Sequence, residues 1–136
     1  MSTTAQLTRS TNIDSTLKVA IVAAVAVAAV AHVPVIGPHL EEAPYMGVLF
    51  IVFTAVCVGL GAAMTVTGQA WAYRSAVVVC GSAVAVYVAT RLVAFPQLSD
   101  DVGNWLEPLG VVSVVSETVV VALALVTLRR RRHTAH

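Results

Sequence analysis

The sequence has few of the charged residues that a soluble domain carries on its surface. Asp, Glu, Lys and Arg make up only 11% of the 136 residues, whereas a soluble domain carries about 25%. Hydrophobic residues make up 58%, and the mean hydropathy is +0.87. This composition excludes an ordinary soluble domain and predicts an integral membrane protein.

Cysteine is also scarce, and both cysteines, Cys57 and Cys80, lie inside apolar runs. Two cysteines in such positions are not the framework of a small secreted disulfide protein. We interpret them as small residues in close helix packing, since a thiolate metal site needs more ligands. The sequence also lacks the spacing of nucleotide-binding loops and zinc fingers. No nucleophile–base pair indicates an enzyme.

Four long apolar segments predict an all-α bundle of four transmembrane helices. A helix of about 20 residues crosses a hydrocarbon core of about 30 Å. The predicted spans cover about residues 19–36, 45–67, 71–94 and 109–128. Residues 1–17 then form a polar cytoplasmic tail, and residues 129–136 form a basic one. The alternative for the first span is a cleavable signal peptide, but its apolar run is longer than a usual signal-peptide core.

Prolines and a short turn predict how the first three spans are connected. Pro34 and Pro38 are expected to end the first helix, which leaves residues 37–44 as a loop. Pro44 is well placed to start the second helix. The turn near Gly68 is so short that spans two and three should form an antiparallel hairpin.

Small residues recur every four positions in the second and third spans, and such a stripe lets another helix approach closely. The stripes consist of Ala55, Gly59 and Ala63 in span two and of Gly81, Ala85 and Ala89 in span three. We predict that they pack helices together, either within the bundle or between copies of it.

Charged residues are segregated along the chain. Five of the seven acidic residues lie in the two loops expected at one end of the bundle. Seven of the eight basic residues lie at the other end, namely Arg9, Lys18, Arg74 and the run from Arg129 to Arg132. The positive-inside rule therefore places both termini in the cytoplasm of a multi-pass cell-membrane protein. We interpret the arginine run as an anchor to anionic lipid headgroups and not as a nucleic-acid site.

Glu117 is an acid near the middle of span four. An ionisable group at that depth costs about 2.5–3.5 kcal/mol on insertion scales, so it usually has a partner. We favour an interhelical ion pair with Arg91. In one alternative Arg91 turns to the surface and Glu117 hydrogen-bonds to Ser113 or to the backbone. In another, Arg91 and Glu117 belong to a polar site for a cation, a proton or a small ligand.

His32, His39 and Glu42 are candidate metal ligands at the same end of the bundle as Arg91. Neutral imidazole and carboxylate suit zinc or copper(II). The alternative is a solvated loop without a ligand, and the sequence indicates no other cofactor.

Residues at three span ends carry a resemblance to a known group. That group has an H-x-x-E-x-x-x-x-G-x-x-F start to span two, an R-x-x-G-x-P end to span three, and an acid before the glycine that opens span four. The matching residues are His39, Glu42, Gly47, Phe50, Arg91, Pro96, Glu107 and Gly110, with Ala94 in place of one glycine. From about residue 30 onward the chain therefore resembles an uncharacterised group of small, four-helix actinobacterial membrane proteins. The resemblance implies the architecture and these positions, and no activity.

Two kinds of function follow from these features. We expect a non-enzymatic accessory or interaction protein that acts through helix–helix contacts in the bilayer, as a homo-oligomer or with another membrane protein. The alternative is a binder or carrier of a transition metal ion or proton that uses the His, Glu and Arg cluster.

The charge distribution gives a testable topology. Cysteine labelling in intact cells should reach the connections near residues 37–44 and 95–108, and should not reach either terminus. A terminus that is labelled from outside would contradict the orientation.

Overall fold

The structure is a computed structural model that describes the backbone of residues 2–133 and the side chains of residues 12–133. It contains four α-helices, α1 Ser2–Glu42, α2 Pro44–Val66, α3 Ala70–Leu92 and α4 Pro108–His133, and one 3-10 turn at Ser99–Asp101. The described residues contain no strand, so the all-α class is confirmed. All four helices are long and apolar enough to cross a membrane.

α1 is longer at both ends than the sequence predicts. It is helical from Ser2, where a polar tail is expected, and it continues through Pro34 and Pro38. The expected loop at residues 37–44 is therefore mostly helix. The two prolines are four residues apart and exposed, so both missing N–H groups lie on one outer face of the helix. A helix long enough to cross a membrane tolerates proline where the freed backbone groups find other partners.

The break between α1 and α2 is a single residue, Ala43. Its φ of −140° and ψ of 77° lie outside the helical region, because a following proline disfavours the α conformation. Pro44 then takes the first position of α2, where its missing N–H is tolerated. Ala43 is fully buried against Met46 and Leu98, so this corner is tightly packed.

The helices pack unevenly. α1 packs against α2 and α4, and α3 packs against α4, whereas the consecutive helices α2 and α3 contact each other much less. The main core is shared by all four helices and includes Ile21, Met64, Tyr73 and Val120. The buried Cys57 and Cys80 belong to this core, so α2 and α3 are close near their midpoints. Beyond the midpoints they separate.

The bundle has a basic end and an acidic end. At the basic end, Lys18 Nζ donates to Thr65 O at 2.8 Å, and Arg131 donates to Gly68 O at 2.7 Å. These bonds bring the α2–α3 turn together with α1 and the last turns of α4. At the acidic end, loop 93–107 folds over the bundle, and Tyr45 donates to the carbonyl of Pro96 at 2.7 Å. The acidic end holds Glu41, Glu42, Asp100, Asp101 and Glu107.

The small stripe of α2 packs inside the bundle only at its Ala63 end, where Ala63 is half-buried against the main core. Ala55 and Gly59 are exposed, and nothing lies within 4 Å of a Cβ built on Gly59. In α3, Gly81 is half-buried and a Cβ there would lie 4.0 Å from Val121, while Ala85 is exposed. Ala55 and Gly59 are thus not covered by another helix of the described chain. A contact between copies stays a prediction for them.

The closest helix approach in this region occurs at Gly47 instead. A Cβ on Gly47 would lie 2.7 Å from the backbone nitrogen of Leu40. Backbone cannot move aside as a flexible side chain can, so the corner at Ala43 requires glycine at this position.

This contact gives a stability prediction. Gly47→Ala should lower the free energy of unfolding by about 1–3 kcal/mol, the usual cost of overpacking. Gly59→Ala is the control, because its new methyl group enters open space. Thermal unfolding in detergent measures both variants, and equal stabilities would contradict the close approach at Gly47.

Candidate functional site

A cavity of about 520 Å³ lies between α2 and α3, in the part of the bundle where they separate. This volume falls within the range of about 300–1,000 Å³ that is usual for ligand pockets. α1 and α4 also contribute lining residues, and the lining is mainly apolar with the aromatic side chains of Phe50, Phe53 and Tyr87. Val52 and Val78, on facing helices, line the cavity and are more than half exposed, at 53% and 65%. The cavity therefore opens sideways between α2 and α3.

The polar floor of the cavity consists of Glu117, Ser113 and His32. Ser113 and Glu117 are one helical turn apart on α4, and the Ser113 hydroxyl donates to Glu117 Oε1 at 2.7 Å. His32 reaches them from α1, with Nε2 3.8 Å from the same oxygen. Glu117 is only 2% exposed. The predicted burial of the Glu117 face is thus seen, and the hydrogen bond to Ser113 is one of the alternatives that the sequence left open.

Hydrogen bonding indicates one orientation for the His32 ring. Nδ1 lies 2.8 Å from the carbonyl oxygen of Ala28, which can only accept, so Nδ1 carries a proton. The ring also packs on Phe53, with centroids 4.5 Å apart. Nε2 is left facing Glu117 and Ser113, either as an acceptor or, in the imidazolium form, as a donor.

The three groups are not arranged as a hydrolase triad. In such a triad the histidine accepts the serine proton and the carboxylate holds the histidine. Here the Ser113 hydroxyl donates to Glu117, and its oxygen is 3.4 Å and 3.5 Å from the two His32 nitrogens. The Ser113 hydroxyl is thus oriented toward the acid and not toward His32.

Arg91 does not form the predicted ion pair with Glu117. Its guanidinium pairs with Asp101 at 2.5 Å, and Nη1 also donates to the Asp101 carbonyl at 3.3 Å. The loop returns to α3 at this point, because Gly103 N donates to Arg91 O at 3.0 Å and its φ of 78° favours glycine. The sequence offered one signal for this pair, since acids follow Arg91 ten residues later in a loop that must return.

Arg91 still belongs to the cavity. It lines the acidic end, is 6% exposed, and lies over the Tyr87 ring with Cζ 4.6 Å from the centroid. Its Nε is buried without a hydrogen-bond partner among the described residues. Burial of a long basic side chain here depends on Asp101, which neutralises it.

Glu107 positions the start of α4 beside the cavity. Its carboxylate accepts from Gly110 N at 2.6 Å and from Leu109 N at 3.3 Å, so it caps the helix and lies at the positive end of its dipole. A Cβ on Gly110 would lie 2.7 Å from the Tyr87 ring. Glycine at this position lets α3 approach α4, and that approach places Ser113 and Glu117 at the cavity.

Two of the three candidate metal ligands, His32 and His39, line the cavity, whereas Glu42 does not. Phe50 contacts both histidines, with centroids 5.0 Å from His32 and 4.9 Å from His39. His39 Nδ1 lies 2.8 Å from Val35 O, and Glu42 is exposed. In the described part of the chain, no three His, Cys, Asp or Glu side chains are grouped as a metal site. The zinc or copper hypothesis therefore has no preformed ligand set here.

Comparison of the chain with protein-family models, with curated proteins and with solved structures gave no match. The resemblance to small actinobacterial membrane proteins thus stays a prediction. The residues that carry it do have local roles, such as the Gly47 corner and the Glu107 cap of α4. The candidate site rests on its geometry.

A stability measurement can distinguish the observed pairing of Arg91 with Asp101 from the predicted pairing of Arg91 with Glu117. A double-mutant cycle of Arg91→Gln and Asp101→Asn should show coupling of about 0.5–3 kcal/mol, as contacting groups do. The comparison cycle, Arg91→Gln with Glu117→Gln, should be additive. Unfolding in detergent measures both cycles, and coupling confined to the Glu117 cycle would restore the original pairing.

Proposed function

We propose that this chain is a non-enzymatic, multi-pass protein of the cell membrane that binds a membrane-soluble small molecule in the cavity between α2 and α3. The observation that carries the proposal is the buried Glu117 carboxyl group at the floor of an otherwise apolar cavity. An ionisable side chain inside a membrane bundle raises the free energy of the folded protein. Such side chains usually bind a ligand, an ion or a proton.

The shape of the cavity supports a ligand that enters from the bilayer. Its opening faces sideways at Val52 and Val78, whereas the loop 93–107 covers the acidic end. Phe95 and Leu98 of this loop pack near Met46, which fixes the cover over the α1–α2 corner. A molecule dissolved in the hydrocarbon phase can reach the opening without crossing the loop.

Binding fits the polar groups better than catalysis does. Ser113 is oriented by Glu117 and is not activated by His32. Two further polar groups that line the cavity, Arg91 and Glu107, are engaged in structural contacts. These groups can hold and orient a ligand. The expectation of a protein without enzymatic activity is therefore retained as part of the proposal.

A second candidate function is contact with another transmembrane helix, as the sequence favours. The specific observation is the face of α2 at Ala55 and Gly59, which no helix of the described chain covers. A helix of a second copy or of another membrane protein fits against such a face at short distance. This surface is separate from the cavity floor, so the two functions are compatible.

The proposed orientation has both termini in the cytoplasm and the acidic end outside. Gathering of Lys18, Arg74 and the 129–132 arginines at one end supports it, because basic residues are retained on the cytoplasmic side. Most residues that line the cavity then lie in the outer half of the bilayer, whereas Val78 and Val79 lie just past the midpoint of α3.

The binding function is tested with decanol that carries a photoactivatable diazirine in its chain. After photolysis in membranes, peptides from α2 and α3 that line the cavity should be modified. Ala83→Phe, which places a ring inside the cavity, should lower this labelling several-fold. Ala122→Phe is the control, since Ala122 is exposed on α4 and does not line the cavity.

Labelling that is unchanged by Ala83→Phe would show that decanol marks only the lipid-facing surface, and the binding proposal would fail. The second candidate function, contact with another transmembrane helix, would be favoured if the protein is a dimer, if Gly59→Leu dissociates this dimer, and if the cavity is not labelled.

A further inference from the structure

We infer that the ligand of this cavity is a lipophilic cation, that is, an apolar molecule with one protonated amine that binds Glu117. The inference rests on the proposed function and adds the chemical class of the ligand. It is carried by the incomplete hydrogen bonding of Glu117, by the charges around it and by the aromatic side chains near it.

Glu117 has one carboxylate oxygen with a partner and one without. Oε1 accepts from Ser113, whereas Oε2 makes no hydrogen bond to any described residue. Oε2 is not among the enclosed side-chain atoms that lack a partner, so it keeps some accessible surface although Glu117 as a whole is only 2% exposed. Because Glu117 lines the cavity, a ligand that donates a hydrogen bond there would complete its coordination.

The charges around the cavity favour a cation over an anion. His39, whose Nδ1 lies 2.8 Å from Val35 O, lines the cavity. Arg91 also lines it and is neutralised by Asp101. Its pairing leaves Glu117 without a permanent positive partner, since His32 lies 3.8 Å away and is charged only when protonated. Glu107 and Asp101 also line the cavity, but the first caps α4 and the second pairs with Arg91. An anionic head would therefore meet the unpaired carboxyl group of Glu117, whereas an ammonium group would supply its missing counter-charge.

The cavity walls near the acid suit a cation with an apolar body. Phe50 and Phe53 line the cavity and flank His32, and the face of an aromatic ring attracts a cation within about 6 Å. Valine side chains of α2 and α3, including Val56, Val79 and Val86, line much of the rest of the cavity. The amine would thus lie at the floor and the hydrocarbon part along α2 and α3.

Competition against the decanol photoprobe tests this class of ligand. Decylamine, decanol and decanoate have equal chain lengths and differ in the charge and hydrogen bonding of the head. On the unaltered protein, decylamine should displace the probe at about a tenfold lower concentration than decanol, equivalent to about 1.4 kcal/mol. Decanoate should compete less well than decanol.

Two variants, each of which removes the charge of one carboxylate, test which residue causes the preference for decylamine over decanol. Glu117→Gln should remove the advantage of decylamine and leave decanol binding nearly unchanged. Glu42→Gln is the matched control, because it removes one exposed carboxylate from the same end of the bundle and should keep the advantage. An advantage that persists in Glu117→Gln, or is lost equally in Glu42→Gln, would assign the effect to enrichment of amines at the membrane surface.

The outcomes separate the inference from the proposed function. Equal competition by decylamine and decanol on the unaltered protein, with labelling still sensitive to Ala83→Phe, would overturn the cation and keep the binding site. This comparison requires no Glu117 variant, so it decides the question even if Glu117→Gln does not fold. Labelling that is insensitive to Ala83→Phe would overturn both.

Discussion

The constraint on which this structure depends is the placement of an acid inside a bundle that is long and apolar enough to cross a membrane. Glu117 cannot face hydrocarbon without a large cost, so α4 must turn that face toward α1 and the cavity. Ser113, one turn earlier, and His32, on α1, then become its neighbours. The packing of α4 against both α1 and α3 follows from the need to surround this residue.

At the acidic end, contacts of loop 93–107 hold this loop over the cavity. Arg91 and Asp101 tie the returning loop to α3, and Tyr45 ties the same loop to the start of α2. Gly110 allows Tyr87 and Glu107 to meet at the start of α4. These contacts hold α2 and α3 in place at the acidic end of the bundle, where the two helices do not pack directly against each other. The separation of these helices is therefore a property of the fold around them.

A binding role is consistent with this division of the bundle. The basic half contains the continuous core with Ile21, Met64 and Tyr73, whereas the acidic half contains the cavity and most of the polar contacts. Stability and binding can therefore be served by different parts of a small protein. The exposed small-residue face of α2 remains available for a neighbouring helix on the outside of the bundle.

The sequence by itself determined the helical class, the four long apolar helices and the unusual position of Glu117, because these depend on hydropathy, helix length and the cost of burying an acid. It also predicted α2 and α3 to within about two residues at each end. It did not predict the passage of α1 through Pro34 and Pro38, since proline removes a hydrogen bond but ends a helix only where the packing requires it. Only the tertiary structure decided that Arg91 pairs with Asp101 and that Glu117 meets Ser113 and His32. Those partners depend on the order in which helices pack and on the path of a loop, and a pattern of residue types along the chain does not specify either.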